Sequence, residues 1–486
     1  MKYKNVLFII PGIVQTHDAG SAAKVDDLPS EPHCGIGYLC EVLQGEGIRT
    51  SVVDMRLGYS VEYVKERIRE TGPDLVGISC ITLMYRKLYG FIAALKSDSY
   101  PIVLGGPHVS LYRAKVLEDT VADFAIKHEA ERALLELCQG VAPGSIKNLI
   151  YRDGAVIEND DAPLCRELDE LSFPKYRGFE MDKYGNVGII TSRGCPYACI
   201  FCVTHSHFGK GFRMRSAESV FSEIKYWYDK GERTFSINDD NFTLVPERVT
   251  RLCRMIREGD MTGLTLLCPT GIRADKVTRE LLADMKSVGF RHMLIGVESG
   301  SERVLKIIKK GETLAQIENA IQTACELGYD VGLSFIIGSP TETEADVRLS
   351  FALARKYPVS IVFFFNLIPF PGTELNRFVS ETGRWIGELD DNINRLTHFD
   401  NTPLFDTPEL LAEKRTALLM EGAAVSLEVK RANFKRGLKR KFGVAGTFLA
   451  LFYTRATSRC AIRVYHTRLG RSLITVFMRR LGLYRF

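Results

Sequence analysis

The chain reads as an α/β protein built from two parallel-sheet units followed by a helical, basic extension. Three observations predict it: short apolar strands alternating with helical stretches over the first 140 residues, a second and longer-spaced alternation from Gly185, and a tail crowded with Lys and Arg. Alternation of this kind gives a parallel sheet covered on both faces. At 486 residues the chain exceeds what one hydrophobic core supports, so more than one domain is expected.

In the first unit, residues 1–140, strands are expected at 6–10, 50–54, 75–79, 102–105 and 124–127, with helices at 35–47, 60–71, 84–97 and 130–140. This is a doubly wound sheet of five strands, a form that binds ligands beyond the carboxyl ends of its strands. Residues 141–180 read as a linker holding a small strand pair, turned at Arg152-Asp153-Gly154. The second unit, 181–385, places strands at 187–191, 234–238, 264–269, 292–296, 330–337 and 360–367. Six strand–helix units suggest an open, partial (β/α)6 version of the parallel barrel, whose chemistry sits on loops at the carboxyl ends. Residues 386–486 read as a helical region with a basic tail. No repeat of solenoid period and no low-complexity run is visible.

Charge is distributed unevenly. From Val429 to Phe486 there are fifteen Lys or Arg and no Asp or Glu, leaving the rest of the chain with 49 basic against 59 acidic residues. Arg455, Arg459 and Arg463 recur every four residues, with Phe448, Leu449, Phe452 and Ile462 available for an apolar side. Such a helix can pack on the barrel, lie on an anionic membrane surface or neutralise nucleic-acid phosphates, and the weak interleaving of aromatics argues against nucleic acid. The opening apolar run at 6–10 is too short for an export signal, and the longest apolar stretch, 443–453, is about half of a bilayer span. Nine of the twelve cysteines are scattered without framework spacing, which suits a reducing cytoplasm.

The other three cysteines stand together as Cys195-Pro-Tyr-Ala-Cys199-Ile-Phe-Cys202, directly after the strand at 187–191. Three thiolates at this spacing can converge on one metal cluster and leave an iron free to bind substrate. Structural zinc normally wants four ligands in two pairs, and no second pair lies close by in sequence. These residues resemble the radical S-adenosylmethionine superfamily, whose motif is Cys-x3-Cys-x-aromatic-Cys, with Phe201 as the aromatic.

The resemblance implies a 4Fe–4S cluster on Cys195, Cys199 and Cys202, and S-adenosylmethionine at the open iron. It extends segment by segment. Ile237-Asn-Asp239-Asp240-Asn241 looks like the acidic turn that cradles the methionyl amine, and Arg273 resembles the basic third-strand position facing the carboxylate. Gly296-Val-Glu298-Ser299-Gly300 is similar to the segment that meets the ribose, and Phe335-Ile-Ile-Gly338-Ser-Pro-Thr-Glu342 to the glycine turn beside adenine.

Members of this family commonly carry an amino-terminal Rossmann-like domain that binds cobalamin. Gly35-Ile-Gly-Tyr-Leu39, the strand ending in Ser79, and Leu104-Gly105-Gly106-Pro-His108 resemble its contacts, with Ser79 available to the nucleotide tail and glycines letting backbone approach it. A nicotinamide site would need Gly-x-Gly-x-x-Gly after the first strand, and that turn lacks it. Two departures stand out. Gln15-Thr-His17-Asp-Ala-Gly20 has glutamine where a cobalt-ligating histidine would have its carboxylate partner. His128-Glu129-Ala130-Glu131 keeps two carboxylates of the family's turn but neither glycine.

The expectation is an enzyme: a cobalamin-dependent C-methyltransferase acting through a 5′-deoxyadenosyl radical on an unactivated carbon of a small-molecule or lipid-like substrate. Its electron donor would be of the flavodoxin or ferredoxin kind, and its place the cytoplasm, with the tail peripheral at the membrane face. Alternatives are a cyclase or oxidative enzyme of the same layout, a tRNA methylthiotransferase, and a non-catalytic iron–sulfur or corrinoid-binding protein. His205, His207, Lys210, Arg213 and Arg215, together with the last hundred residues, are candidates for the substrate pocket, although the two arginines fit loop anchors equally well.

Overall fold

The computed structural model describes residues 1–12, 31–382, 384–386, 388–395 and 402–452. The first sheet contains β1 (Asn5–Ile10), β2 (Arg49–Asp54), β3 (Leu75–Ser79), β4 (Ile102–Gly105), β5 (Phe124–Ile126), β6 (Leu149–Asp153) and β7 (Ala155–Glu158), in the order β2-β1-β3-β4-β5-β6-β7. Every residue of β1 is buried, the mark of a central parallel strand covered on both faces. Val6, Phe8 and Ile10 pack with Ile36, Leu43, Leu134 and Leu137 from helices Cys34–Gly45 and Glu131–Gln139. Leu7 and Ile9 face the opposite core, with Val64, Ile68, Leu88 and Ile92.

The five parallel strands fall where the sequence places them, to within one residue at either end. The strand pair expected in a linker instead extends this sheet: β6 pairs antiparallel with β5, and β7 with β6. The local pattern reveals a hairpin, with Gly154 in the left-handed region at φ +71°, but not which sheet edge it joins.

The second sheet holds β8 (Val187–Ile189), β11 (Thr234–Ile237), β12 (Thr265–Ile272), β13 (Phe290–Glu298), β14 (Asp330–Ile337) and β15 (Ile361–Asn366), all parallel, in the order β15-β14-β13-β12-β11-β8. Between β8 and β11 lie β9 (Ser192–Arg193) and β10 (Arg213–Met214), an antiparallel ribbon whose two strands bracket the three clustered cysteines. Helices pack the outer face. Phe364 on β15 stacks on Phe335 with centroids 4.9 Å apart, and Gly422 of the long helix Ala412–Phe452 comes so near that an added Cβ would lie 2.9 Å from the Phe364 ring. That helix kinks at Gly443. Among the described residues no helix is long and apolar enough to cross a membrane. His17 and the row Arg455, Arg459 and Arg463 lie outside the described residues.

Candidate active site

The cysteine loop is held from several directions. Gly194, at φ +83°, opens it where an added Cβ would sit 2.3 Å from the Gly211 carbonyl oxygen, so only glycine fits. Gly194→Ala is expected to cost about 1–3 kcal/mol of stability, read from thermal melts, and to lower the iron retained per chain. Ile200 is fixed both ways: its N–H donates to the Ile308 carbonyl (3.1 Å) and its carbonyl accepts from Leu375 (2.9 Å). Tyr197 donates to Asp275 (2.9 Å), and the Arg273 guanidinium stacks 3.3 Å from the Tyr197 ring centre.

Cys195, Cys199 and Cys202 are half-buried and free of disulfides. Burial pushes the Cys199 thiol up to about 11 and raises that of Cys195. Among the described residues no three His, Cys, Asp or Glu side chains are grouped as ligands of a single metal ion. A cluster asks for something different, one thiolate on each of three irons, and an all-sulfur donor set on one loop suits it. Phe201 is half-buried and packs against the barrel core beneath the loop.

At the β11 end the two neighbouring carboxylates differ. Asp239 is buried and fully engaged: it accepts from Thr191 N–H (2.6 Å), Ser192 N–H (3.1 Å), Ser192 Oγ (2.6 Å) and Thr191 Oγ1. It pins the corner between β8 and β9 and has no lone pair to spare for a methionyl amine. Asp240 is exposed beside the loop, accepting from Gly194 N–H (3.2 Å) and Thr204 Oγ1 (3.3 Å). Arg273 donates to Asp275 (3.1 Å) and the Lys310 carbonyl (2.8 Å), leaving Nη2 buried and unpartnered.

Glu298 adopts φ +65° where β13 bulges against β14, and pairs with Lys310 at 3.1 Å. Lys310 is missing from the sequence reading, its only signal being the turn Lys309-Lys310-Gly311-Glu312. It is buried, and although burial works against its charge, Glu298 and Glu312 hold its pKa above the usual lysine value. Ser299 is buried with its hydroxyl accepting from Ser301 N–H (3.2 Å), a bond that braces the turn.

At Gly338, with φ +110°, an added Cβ would strike the Arg415 guanidinium at 2.6 Å, so packing here requires glycine. Glu342 accepts from the N–H groups of Gly338 (2.6 Å) and Ser339 (3.1 Å), and burial pushes its carboxyl up to about 7. The folded chain therefore keeps this proton where the unfolded chain releases it. Stability from this group is full below about pH 4.5 and lost as pH rises to about 7. Denaturation across that range should show less decline for Glu342→Gln than for the parent.

The first sheet opens on a cavity of about 340 Å³ lined by His33, Ser79, Gly105, Gly106, Arg193 and His207, among others. Ser79 Oγ lies 3.4 Å from His33 Nε2, and burial lowers that imidazole to about 4. An added Cβ on Gly105 would meet no protein atom nearer than 4.0 Å, so the glycine borders open space. Gly106 has a different cause: at φ +102° its Cβ would lie 2.8 Å from the Cys80 carbonyl oxygen. Apolar walls with few polar groups and a bare glycine edge fit a bulky ligand tail.

The residues expected around a substrate are dispersed. His205 pairs with the Cys195 carbonyl (2.9 Å), His207 bonds Ser110 of the first domain (2.8 Å), and Lys210 is exposed. Arg213 pairs with Glu129 (2.7 Å), and buried Arg215 with Glu223, so both are anchors. His108 is buried in a box with Tyr85, Tyr89 and Tyr112 and is bonded to the Tyr89 hydroxyl (2.7 Å).

Residues 189–354 match the model of the radical SAM superfamily, and residues 29–138 that of the B12 binding domain. The uncharacterized methyltransferase PH0819 of Pyrococcus horikoshii is 29% identical over 389 residues, 77% of this chain and 83% of the relative. Cytidylyl-2-hydroxyethylphosphonate methyltransferase of Streptomyces wedmorensis is 27% identical over 440 residues, 76% of this chain and 82% of its own length. Among solved structures, the radical S-adenosylmethionine methyltransferase TsrM from Kitasatospora setae, with cobalamin and a [4Fe-4S] cluster bound, superposes with a TM-score of 0.69 at 19% identity, covering 86% of this chain and 90% of TsrM. The cobalamin-dependent enzyme OxsB, with aqua-cobalamin and S-adenosylmethionine bound, gives 0.70 at 15% identity, covering 99% and 75%.

Proposed function

Because the chain belongs to the cobalamin-dependent radical S-adenosylmethionine enzymes, we propose that it methylates an unactivated carbon of a small-molecule or lipid-like substrate by way of a 5′-deoxyadenosyl radical. Bound, the cluster supplies the electron that cleaves S-adenosylmethionine, and cobalamin carries the methyl group. The observation that carries the reading is one residue, Arg193. It lines the cavity of the first domain and stands two positions before Cys195, so both cofactor sites share a wall.

In this reading Cys195, Cys199 and Cys202 hold the cluster. Asp240 accepts from the amine of S-adenosylmethionine, the free Nη2 of Arg273 donates to its carboxylate, and Glu298 meets the ribose. Ser79, Gly105 and Gly106 receive the cobalamin tail. Asp239, Ser299, Gly338 and Phe201 keep the framework in place. An electron donor of the flavodoxin or ferredoxin kind completes the system in the cytoplasm.

The test is anaerobic incubation of the reconstituted chain with dithionite, hydroxocobalamin and S-adenosylmethionine. A methyltransferase yields both 5′-deoxyadenosine and S-adenosylhomocysteine. A cyclase of the same layout yields 5′-deoxyadenosine alone, and a carrier neither. Peripheral membrane contact is a separate expectation resting on the basic sequence. Flotation with anionic liposomes should retain the full chain and lose a version ending at Leu427; equal flotation of the two would remove the idea.

A further inference from the structure

Arg193 on β9 and Arg213 on β10 face each other directly across the two-stranded ribbon. Like charges in that position repel. The relief comes from the other domain, where the turn after β5 presents two carboxylates. Glu129 Oε1 accepts from Arg193 Nη1 (2.9 Å) and from Arg213 Nη1 (2.7 Å), while Glu131 Oε1 accepts from Arg193 Nη2 (2.7 Å). All four side chains are buried to about nine-tenths, with exposures of 7% for Arg193, 10% for Arg213, 9% for Glu129 and 14% for Glu131. Burial works against the Glu129 charge, but the two guanidinium groups hold its carboxyl below the usual range.

The same group is tied in further. Glu129 Oε2 accepts from Cys165 N–H (2.9 Å), Arg213 also donates to the Cys165 carbonyl (2.7 Å), and Arg193 stacks 5.1 Å from the Tyr38 ring centre. A second bridge lies on the far side of the cysteines. Ser110 Oγ accepts from His128 N–H (2.8 Å) and pairs with His207 Nδ1 (2.8 Å), five residues past Cys202. First-domain contacts thus bracket the cluster loop on both sides. Glu129, Glu131, Arg193 and His207 also line the cavity of about 340 Å³.

We propose that Glu129 and Glu131 are positioning residues that couple the two cofactor sites: the ribbon leading into the cysteine loop is electrostatically balanced only with the first domain's carboxylates seated between its arginines, so filling either site strengthens the other. Removing Glu129 from this buried group leaves Arg213 without its carboxylate partner and Arg193 facing it with Glu131 alone. Coupling of this kind is reciprocal in binding free energy. The proposal rests on the reading that the cavity takes cobalamin and the loop the cluster.

The experiment is the dissociation constant of hydroxocobalamin, by equilibrium dialysis, for the full chain before and after anaerobic cluster reconstitution. The expected result is binding at least about fivefold tighter with the cluster in place, and no such difference in Glu129→Gln. If Glu129→Gln does not fold, Arg193→Lys decides, because it keeps the charge but loses the planar fork whose two nitrogens serve Glu129 and Glu131 separately. A reduced coupling factor in it supports the proposal, and a parental factor overturns it. Parent protein that binds hydroxocobalamin equally well with and without the cluster overturns the coupling alone. Parent protein that takes up no hydroxocobalamin overturns the assignment of the cavity as well.

Discussion

Cys199→Ala should leave a folded chain that retains no more iron than unreconstituted protein and forms no 5′-deoxyadenosine above a blank without enzyme. The loop gives the cluster no substitute. Of the other cysteines, Cys40, Cys80, Cys138 and Cys253 are buried among core side chains, with burial pushing each thiol up to about 12. The backbone on the carboxyl side of Cys199 is fixed by the two hydrogen bonds of Ile200, so the loop cannot slide to offer a neighbour in its place. Because those bonds are made by main chain, the variant should melt close to the parent in its metal-free form. Iron assay and chromatography of the nucleoside products check the expectation, and cluster retention by the variant would remove the assignment of this loop.

Much of this was legible in the residues alone. Six strands of the second sheet and five of the first announce themselves because each is a short apolar run closed by turn residues, a signal contained within a few positions. The cysteine spacing is equally local. What stayed hidden was whatever depends on a partner far away in sequence. The hairpin of β6 and β7 was visible, but its pairing with β5 was not. Lys310 carries no local mark beyond the turn Lys309-Lys310-Gly311-Glu312, and only the fold puts Glu298 and Glu312 around it. His128-Glu129-Ala130-Glu131 read as a weakened corrin contact, whereas the carboxylates face Arg193 and Arg213. Sequence shows which groups a turn carries, and the tertiary pairing decides whether they meet a ligand or each other.

Asp239 and Asp240 make that distinction measurable. Adjacent in sequence and alike in charge, they were read together as one acidic turn. Asp239 supplies the acceptors for two backbone N–H groups and two hydroxyls in a buried corner, with the Arg248 guanidinium 3.7 Å away. An asparagine there offers one uncharged acceptor oxygen where two carboxylate oxygens served, and its amide forces the Thr191 and Ser192 hydroxyls to turn from donating to accepting. It also removes the carboxylate charge beside buried Arg248. Hydrogen bonds to a charged group are worth about 1.5–3 kcal/mol each, so Asp239→Asn should lower unfolding free energy by about 3 kcal/mol or more. The chain that remains folded should bind S-adenosylmethionine as the parent does. Asp240→Asn should behave in the opposite way. Asp240 stands at the exposed edge of the loop and accepts two hydrogen bonds there, so stability should change by about 1 kcal/mol or less. The dissociation constant for S-adenosylmethionine should rise roughly ten- to hundredfold, the worth of one charge-assisted hydrogen bond. Chemical denaturation and isothermal titration of the two variants side by side separate the roles. If Asp239→Asn weakened S-adenosylmethionine without loss of stability, the buried carboxylate would be a ligand-binding group and the corner would owe its geometry to something else.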